Sequence, residues 1–262
     1  MGSNTAPLSL AERFNNSVAA RLRSATWERV YRTAFGDDYP DDTGSIGYYS
    51  LATLRFLTEA LKLSPGRRLV DLGCGHGGPG LWVARQTGAD LIGIDLSAAG
   101  VALARERAVR LGLANRAGFR VGNMMATELP DASCDAALSL DVLLFVPDKD
   151  AAARECARIL RTGGKFGFTT WEQSGYSARI GAEQLADYRP ILLAAGFAIE
   201  TYEEPADWHR QQRAVAEGLI AAEAEMAREM PAATAAQLAA MGRGMLADMP
   251  TRRYIRAVAR KL

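Results

Sequence analysis

The 262-residue chain is 48% hydrophobic, which is enough to bury one large core and still carry an appendage. Thirty-one basic against thirty acidic residues leave a net charge of +1, arguing against a phosphate-neutralising nucleic-acid surface or an anionic-membrane face, so neither partner is expected. No apolar run reaches the roughly 18 to 20 residues that span a bilayer, MGSNTAPLSL lacks the features of a secretory signal, and three scattered cysteines suggest neither disulfides nor a metal site, so a cytoplasmic setting is expected.

Residues 8 to 33 and 49 to 62 read as two or three helices divided by the turn-rich GDDYPDDTGS, giving an N-terminal helical cap over 1–62. From 67 to 204, short β-branched runs (RRLVDLG, DLIGIDL, GFRVGN, CDAALSL, KFGFTTW, FAIETY) alternate with segments of helical spacing. Such alternation is the mark of βαβ units and a parallel sheet. Ser97 is placed to cap one helix, and Gly163 and Gly164 to stop another. Residues 207 to 249 read as helical and alanine-rich, and YIRAVARK at 254–261 alternates like a strand. The expected division is therefore a cap (1–62), an α/β core (63–204 and 251–262) and a helical insertion (205–250) that closes as a mobile lid. Met226, Met230, Met241, Met245 and Met249 recur at four-residue spacing within it, suiting either core packing or an adaptable wall over a substrate.

The run Val70-Asp71-Leu72-Gly73-Cys74-Gly75-His76-Gly77-Gly78 ends a strand, turns on glycines and opens a helix. It satisfies GxGxxG, which dinucleotide-binding domains share, and Asp95 at the end of the next strand suits ribose hydroxyls in either setting. Asp71 separates the two. A carboxylate two residues before the first glycine repels a pyrophosphate, but it suits a ligand that carries a sulfonium and an ammonium group. S-adenosylmethionine is thus favoured over NAD as cofactor.

With VDLGCGHGG, LIGIDLS, GNMMATELPD, LSLDVLLFVPD and RILRTGGKFGFTTWE taken together, the chain resembles the class I S-adenosylmethionine-dependent methyltransferases. Within them it is most similar to the small-molecule branch that includes the ubiquinone and menaquinone C-methyltransferases. The resemblance implies a Rossmann-like, doubly wound α/β fold with seven strands, the last antiparallel. It also implies that Gly73, Cys74 and Gly75 face the methionine part, Asp95 holds the ribose, Leu96 packs on the adenine, and Asn123, Met124 and Leu140 line the adenine edge. Asn123 stands where the family usually has Asp.

Candidates for the chemistry are fewer. Asp141 follows the fourth strand at the ligand end of the sheet and serves either as a site carboxylate or as a turn cap. His209 and His76 are the only histidines, and each is a candidate proton acceptor, with a packing or surface role as the alternative. Tyr48, Tyr49, Trp171, Met241 and Met245 are the expected substrate wall. The expected activity is O- or C-methylation of a small, natural-product-like acceptor. A cyclase or isomerase that uses bound cofactor without transferring its methyl group is the alternative. The oligomeric state is left open, a homodimer included.

Overall fold

The structure, a computed structural model, describes residues 10–44 and 46–262. The N-terminal leader reading and the start of the expected cap, at residues 1–9, lie outside the described residues.

Three helices open the chain: α1 (Leu10–Arg23), α2 (Ala25–Phe35) and α3 (Leu51–Leu61). Ser24 and Ser50 start the latter two, each hydroxyl accepting from the N–H three residues on, Trp27 at 2.9 Å and Thr53 at 3.2 Å. The alternating stretch follows as β1 (Arg68–Leu72), α4 (Gly78–Thr87), β2 (Asp90–Asp95), α5 (Ala98–Arg110), β3 (Ala117–Val121), β4 (Cys134–Leu140), α6 (Lys149–Ile159) and β5 (Leu160–Glu172). A small hairpin, β6 (Gly175–Ser177) with β7 (Ala182–Gln184), precedes α7 (Arg189–Ala194) and β8 (Phe197–Glu203). Then come α8 (Trp208–Ala221), α9 (Glu223–Met226), α10 (Ala232–Asp248) and β9 (Arg253–Lys261). Ser97 caps α5 as expected, its hydroxyl accepting from Gly100 N at 2.9 Å.

The seven-stranded sheet has the order β3-β2-β1-β4-β5-β9-β8. β1 to β5 are parallel, and β9 enters antiparallel between β5 and β8. The chain steps outward from β1 to β3 and then returns to the other side of β1 with β4, so the connections diverge there and leave a crevice at the carboxyl ends. Both faces of the sheet are covered. Val70, Leu72, Phe166, Phe168 and Phe197 pack on the side of α6 and α7, while Leu69, Leu91 and Leu138 pack on the side of α3, α4 and α5. Strand residues of opposite parity thus both meet apolar partners, as a doubly covered parallel sheet demands.

The structure moves one boundary and adds one hairpin. α6 ends at Ile159, earlier than the Gly163-Gly164 stop, because the fully buried Leu160 already pairs with Cys134 in the sheet. The register then shifts before Lys165 pairs with Ala136, and the glycines occupy that irregularity. The β6–β7 hairpin was not foreseen, since three-residue strands are too short to display a period.

The insertion is helical as expected, but its apolar faces meet the N-terminal cap more than the crevice. Trp27, Tyr31 and Phe35 of α2 form one core with Val215 and Leu219 of α8 and with Met226, Met230 and Met245. Glu229 reinforces the joint by accepting from the Thr26 hydroxyl at 2.7 Å. The methionine stripe is thus mainly core packing. Helices α8 and α10 approach so closely that a Cβ at Gly242 would sit 2.6 Å from the carbonyl oxygen of Ala216. Gly242→Ala should therefore destabilise the fold by about 1 to 3 kcal/mol despite alanine's better helix propensity. A lower denaturant midpoint at constant slope is the expected result, and an unchanged or higher one would show that the crossing can relax.

Candidate active site

The glycine loop is fastened to the end of β2 first through its backbone. Gly73 N and Cys74 N both donate to Ile94 O, at 2.8 and 3.1 Å. Gly73 has φ +79°, and a side chain there would strike Val142 at 2.5 Å. Gly75 has φ +51° and meets nothing closer than 3.9 Å, so its outer side faces open space. That space is a cavity of about 400 Å³ at the crevice between β1 and β4.

Asp95 closes the loop from the β2 side. One carboxylate oxygen accepts from Gly75 N at 2.7 Å and the other from Ser97 N at 2.7 Å, which fixes the carboxylate at the cavity wall. Burial raises its pKa, and these two N–H donors oppose the rise. Asp71 is more extreme. It is 2% exposed and lines the cavity, and its Oδ2 has no hydrogen-bond partner. Burial first, then the negative charge of Asp95, pushes its pKa up to about 7, against a hydrogen bond from Gly80 N–H. A buried acceptor without a donor is costly, and a cationic ligand would remove the cost. Cys74 is buried beside the loop, and burial pushes its thiol well up, so it stays neutral and packs.

Leu96, Asn123, Met124 and Leu140 also line the cavity. Asn123 Oδ1 already accepts from Met125 N at 2.9 Å, bracing the turn after β3 and leaving one lone pair and the amide N–H groups to a ligand. On the opposite wall stand Tyr48, Tyr49, Trp171 and Met241. Met245 stands apart from the lining and accepts from the Tyr48 hydroxyl at 2.9 Å.

Asp141 lies at the cavity with φ +58°, a strained value for a non-glycine residue. Its carboxylate accepts from Tyr48 N at 2.5 Å and from the Thr169 hydroxyl at 3.0 Å, so it clamps the cap segment to the sheet. Burial raises its pKa and these hydrogen bonds lower it. His209 is exposed, stacks on Trp208 with ring centroids 3.6 Å apart, and does not line the cavity; the structure does not bring the expected base to the site. His76 does line it but is 2% exposed, and its Nε2 lies 2.8 Å from Thr43 O. Burial, then the charge of Arg107, lowers its pKa to about 4, so at neutral pH it is an uncharged brace beneath the cap.

Sequence reasoning missed Val18 and Arg21 of α1, Ile46, and the Leu144–Val146 stretch after β4, all of which line the cavity. The last lies within LSLDVLLFVPD and was visible as an apolar run beyond the strand. The α1 residues had no motif to mark them.

Residues 70–168 match the family model described as a methyltransferase domain. Methyltransferase GfsG of Streptomyces halstedii is 38% identical over 109 residues, 42% of this chain and 39% of that protein. Sterol 24-C-methyltransferase ERG6B of Gibberella zeae is 28% identical over 193 residues, 72% of this chain and 49% of that protein. The match thus spans about two fifths to half of these relatives' length. Among solved structures, the [4+2]-cyclase SpnF superposes with a TM-score of 0.72 at 27% identity over 94% of both chains. A putative sarcosine dimethylglycine methyltransferase from Galdieria sulphuraria superposes with a TM-score of 0.75 at 20% identity, over 90% of this chain and 97% of that one. The chain thus has the Rossmann-like fold of methyltransferases, with residues 70–168 matching their domain.

Asp71 gives the free protein a distinct pH signature. Because its folded pKa is raised from 3.8 to about 7, its stabilising contribution is complete below the unfolded value and is lost as pH rises through the folded one. Asp71→Asn should therefore unfold at a higher temperature than the parent above about pH 7, with the gap closing towards about pH 4. Thermal unfolding of both proteins across this range measures it, and a gap independent of pH would refute it.

Proposed function

We propose that this protein is an S-adenosylmethionine-dependent methyltransferase that acts on a small, natural-product-like acceptor, at oxygen or at carbon. The observation that carries this reading is the unpartnered Asp71 Oδ2, buried at the mouth of the glycine loop. A ligand bearing a sulfonium and an ammonium group would supply the missing positive charge, and a pyrophosphate would be repelled. The backbone of Gly73 to Gly75 would lie along the methionine part, Asp95 would accept from the ribose hydroxyls, and Leu96 and Met124 would pack on the adenine, with Asn123 and Leu140 at its polar edge. Once bound, the cofactor supplies an electrophilic methyl group. What remains for the chain is to align the acceptor and exclude water. The Tyr48, Tyr49, Trp171 and Met241 wall suits an acceptor with substantial apolar surface. Names among the relatives support this class, from GfsG to the sterol methyltransferases.

The likeness to a [4+2]-cyclase over 94% of both chains favours one second reading, in which bound cofactor is retained and the acceptor is rearranged. Product analysis separates them. Methyl transfer yields S-adenosylhomocysteine in step with an acceptor one methyl group heavier, whereas cyclisation yields an isomer of unchanged mass and no S-adenosylhomocysteine.

Asp95→Ala tests the cofactor site itself. Loss of charge-assisted hydrogen bonds to two hydroxyls, together with loss of the Gly75 and Ser97 anchors, should weaken S-adenosylmethionine binding by about 2 to 4 kcal/mol. Calorimetric titration reads this directly, and parent-like affinity in the variant would remove Asp95 from the cofactor site.

A further inference from the structure

The cavity's carboxylates and its histidine are poor candidates to take an acceptor's proton. Asp95 holds the loop, Asp141 holds the cap, Asp71 lies under the cofactor end, and His76 is bound to Thr43 O. The lining also carries hydrogen-bond donors. Arg21 of α1 and Tyr48 both line the cavity. Behind Tyr48, and outside the cavity lining, stands Tyr31 of α2, fully buried, with ring centroids 6.1 Å apart. The Tyr48 hydroxyl donates to the Met245 thioether at 2.9 Å, a weak acceptor that a better one readily displaces. Resting on the methyltransferase reading above, we infer that Arg21 and Tyr48, with Tyr31 packed behind them, form an oxyanion subsite that binds the acceptor as an ionised phenol or enol.

Burial raises the pKa of both tyrosines, so at neutral pH each remains a protonated donor; burial lowers that of Arg21, with Tyr31 and Tyr48 opposing, and the guanidinium remains a cation. The three are close enough that charge on Arg21 acts on both phenols. Arg252, stacked 4.3 Å over the Trp171 ring, adds positive charge near Tyr48. Asp141 is the opposing group, and its carboxylate is turned to the N–H of Tyr48 and the hydroxyl of Thr169. An acceptor bound here sheds its proton to solvent beforehand. Its oxygen, or the carbon conjugated with it, then bonds to the methyl group as the sulfur–carbon bond breaks. The negative charge on the acceptor and the positive charge on sulfur cancel, and no proton is left for a protein base to accept. This matches a cavity in which Asp95 and Asp141 are engaged with the protein, Asp71 lies at the glycine loop, and His76 is buried and held through Nε2 on Thr43 O.

4-Nitrophenol is a suitable probe, because its visible absorbance reports its ionisation. Titrated into protein saturated with S-adenosylhomocysteine, it should bind with its pKa lowered by about one unit or more. In Arg21→Gln the lowering should disappear, and in Tyr48→Phe, which keeps the ring on Trp171, it should shrink. Both variants should bind S-adenosylhomocysteine within about twofold of the parent. Absence of saturable probe binding, an unshifted probe in the parent, or an equal shift in the variants would overturn the subsite. So would loss of S-adenosylhomocysteine affinity in Arg21→Gln, which would assign Arg21 to the cofactor carboxylate. A parent that binds no S-adenosylhomocysteine at all would instead overturn the methyltransferase reading.

Discussion

Two backbone N–H groups, those of Gly73 and Cys74, converge on the single carbonyl of Ile94, and the geometry of the site descends from this junction. It turns the chain sharply off β1 and leaves Gly75 N directed at Asp95. It also sets the loop against Val142, where only a glycine at position 73 fits. The strand order places β4 on the far side of β1, so the space opened by the turn is not filled by a crossing connection. A crevice at the switch point is therefore a consequence of topology, and the loop decides what chemistry faces it.

That chemistry is mixed. The lining sets three carboxylates, Asp71, Asp95 and Asp141, beside aromatic rings, Met241 and the Arg21 guanidinium. Keeping Asp71 Oδ2 buried without a donor destabilises the free protein when the carboxyl ionises, an arrangement that concentrates strain where a ligand can relieve it. Asp141 shows the same economy in its backbone. Its left-handed φ is held by Thr169 on one side and by the cap segment on the other, so cap and sheet meet at a residue that also borders the cavity.

The alternating core was legible because each strand carries β-branched apolar residues bounded by turn signals, and β9 because YIRAVARK alternates like a strand, its antiparallel sense being implied only by the family resemblance. The glycine loop, Asp71 and Asp95 were legible because their spacing is dictated by local backbone geometry. The acceptor side was only partly so. Tyr48, Tyr49, Trp171 and Met241 line the cavity as expected, whereas His209 points outward and Arg21 was overlooked. Those positions depend on how helices far apart in sequence cross, which periodicity does not encode. A histidine beside a tryptophan reads the same whether the pair faces a cavity or, as here, leaves its imidazole in solvent.

The shared core of α2 with α8, α9 and α10 bears on how such a chain can be re-engineered. Although every strand of the sheet except β9 lies between the cap and the insertion in sequence, they are one unit of packing, with Glu229 reaching back to Thr26 across 203 residues. A graft that exchanges the insertion alone leaves Trp27, Tyr31 and Phe35 facing a surface they were not shaped for. Transplanting acceptor preference between chains of this architecture is thus a matter of moving two distant segments together.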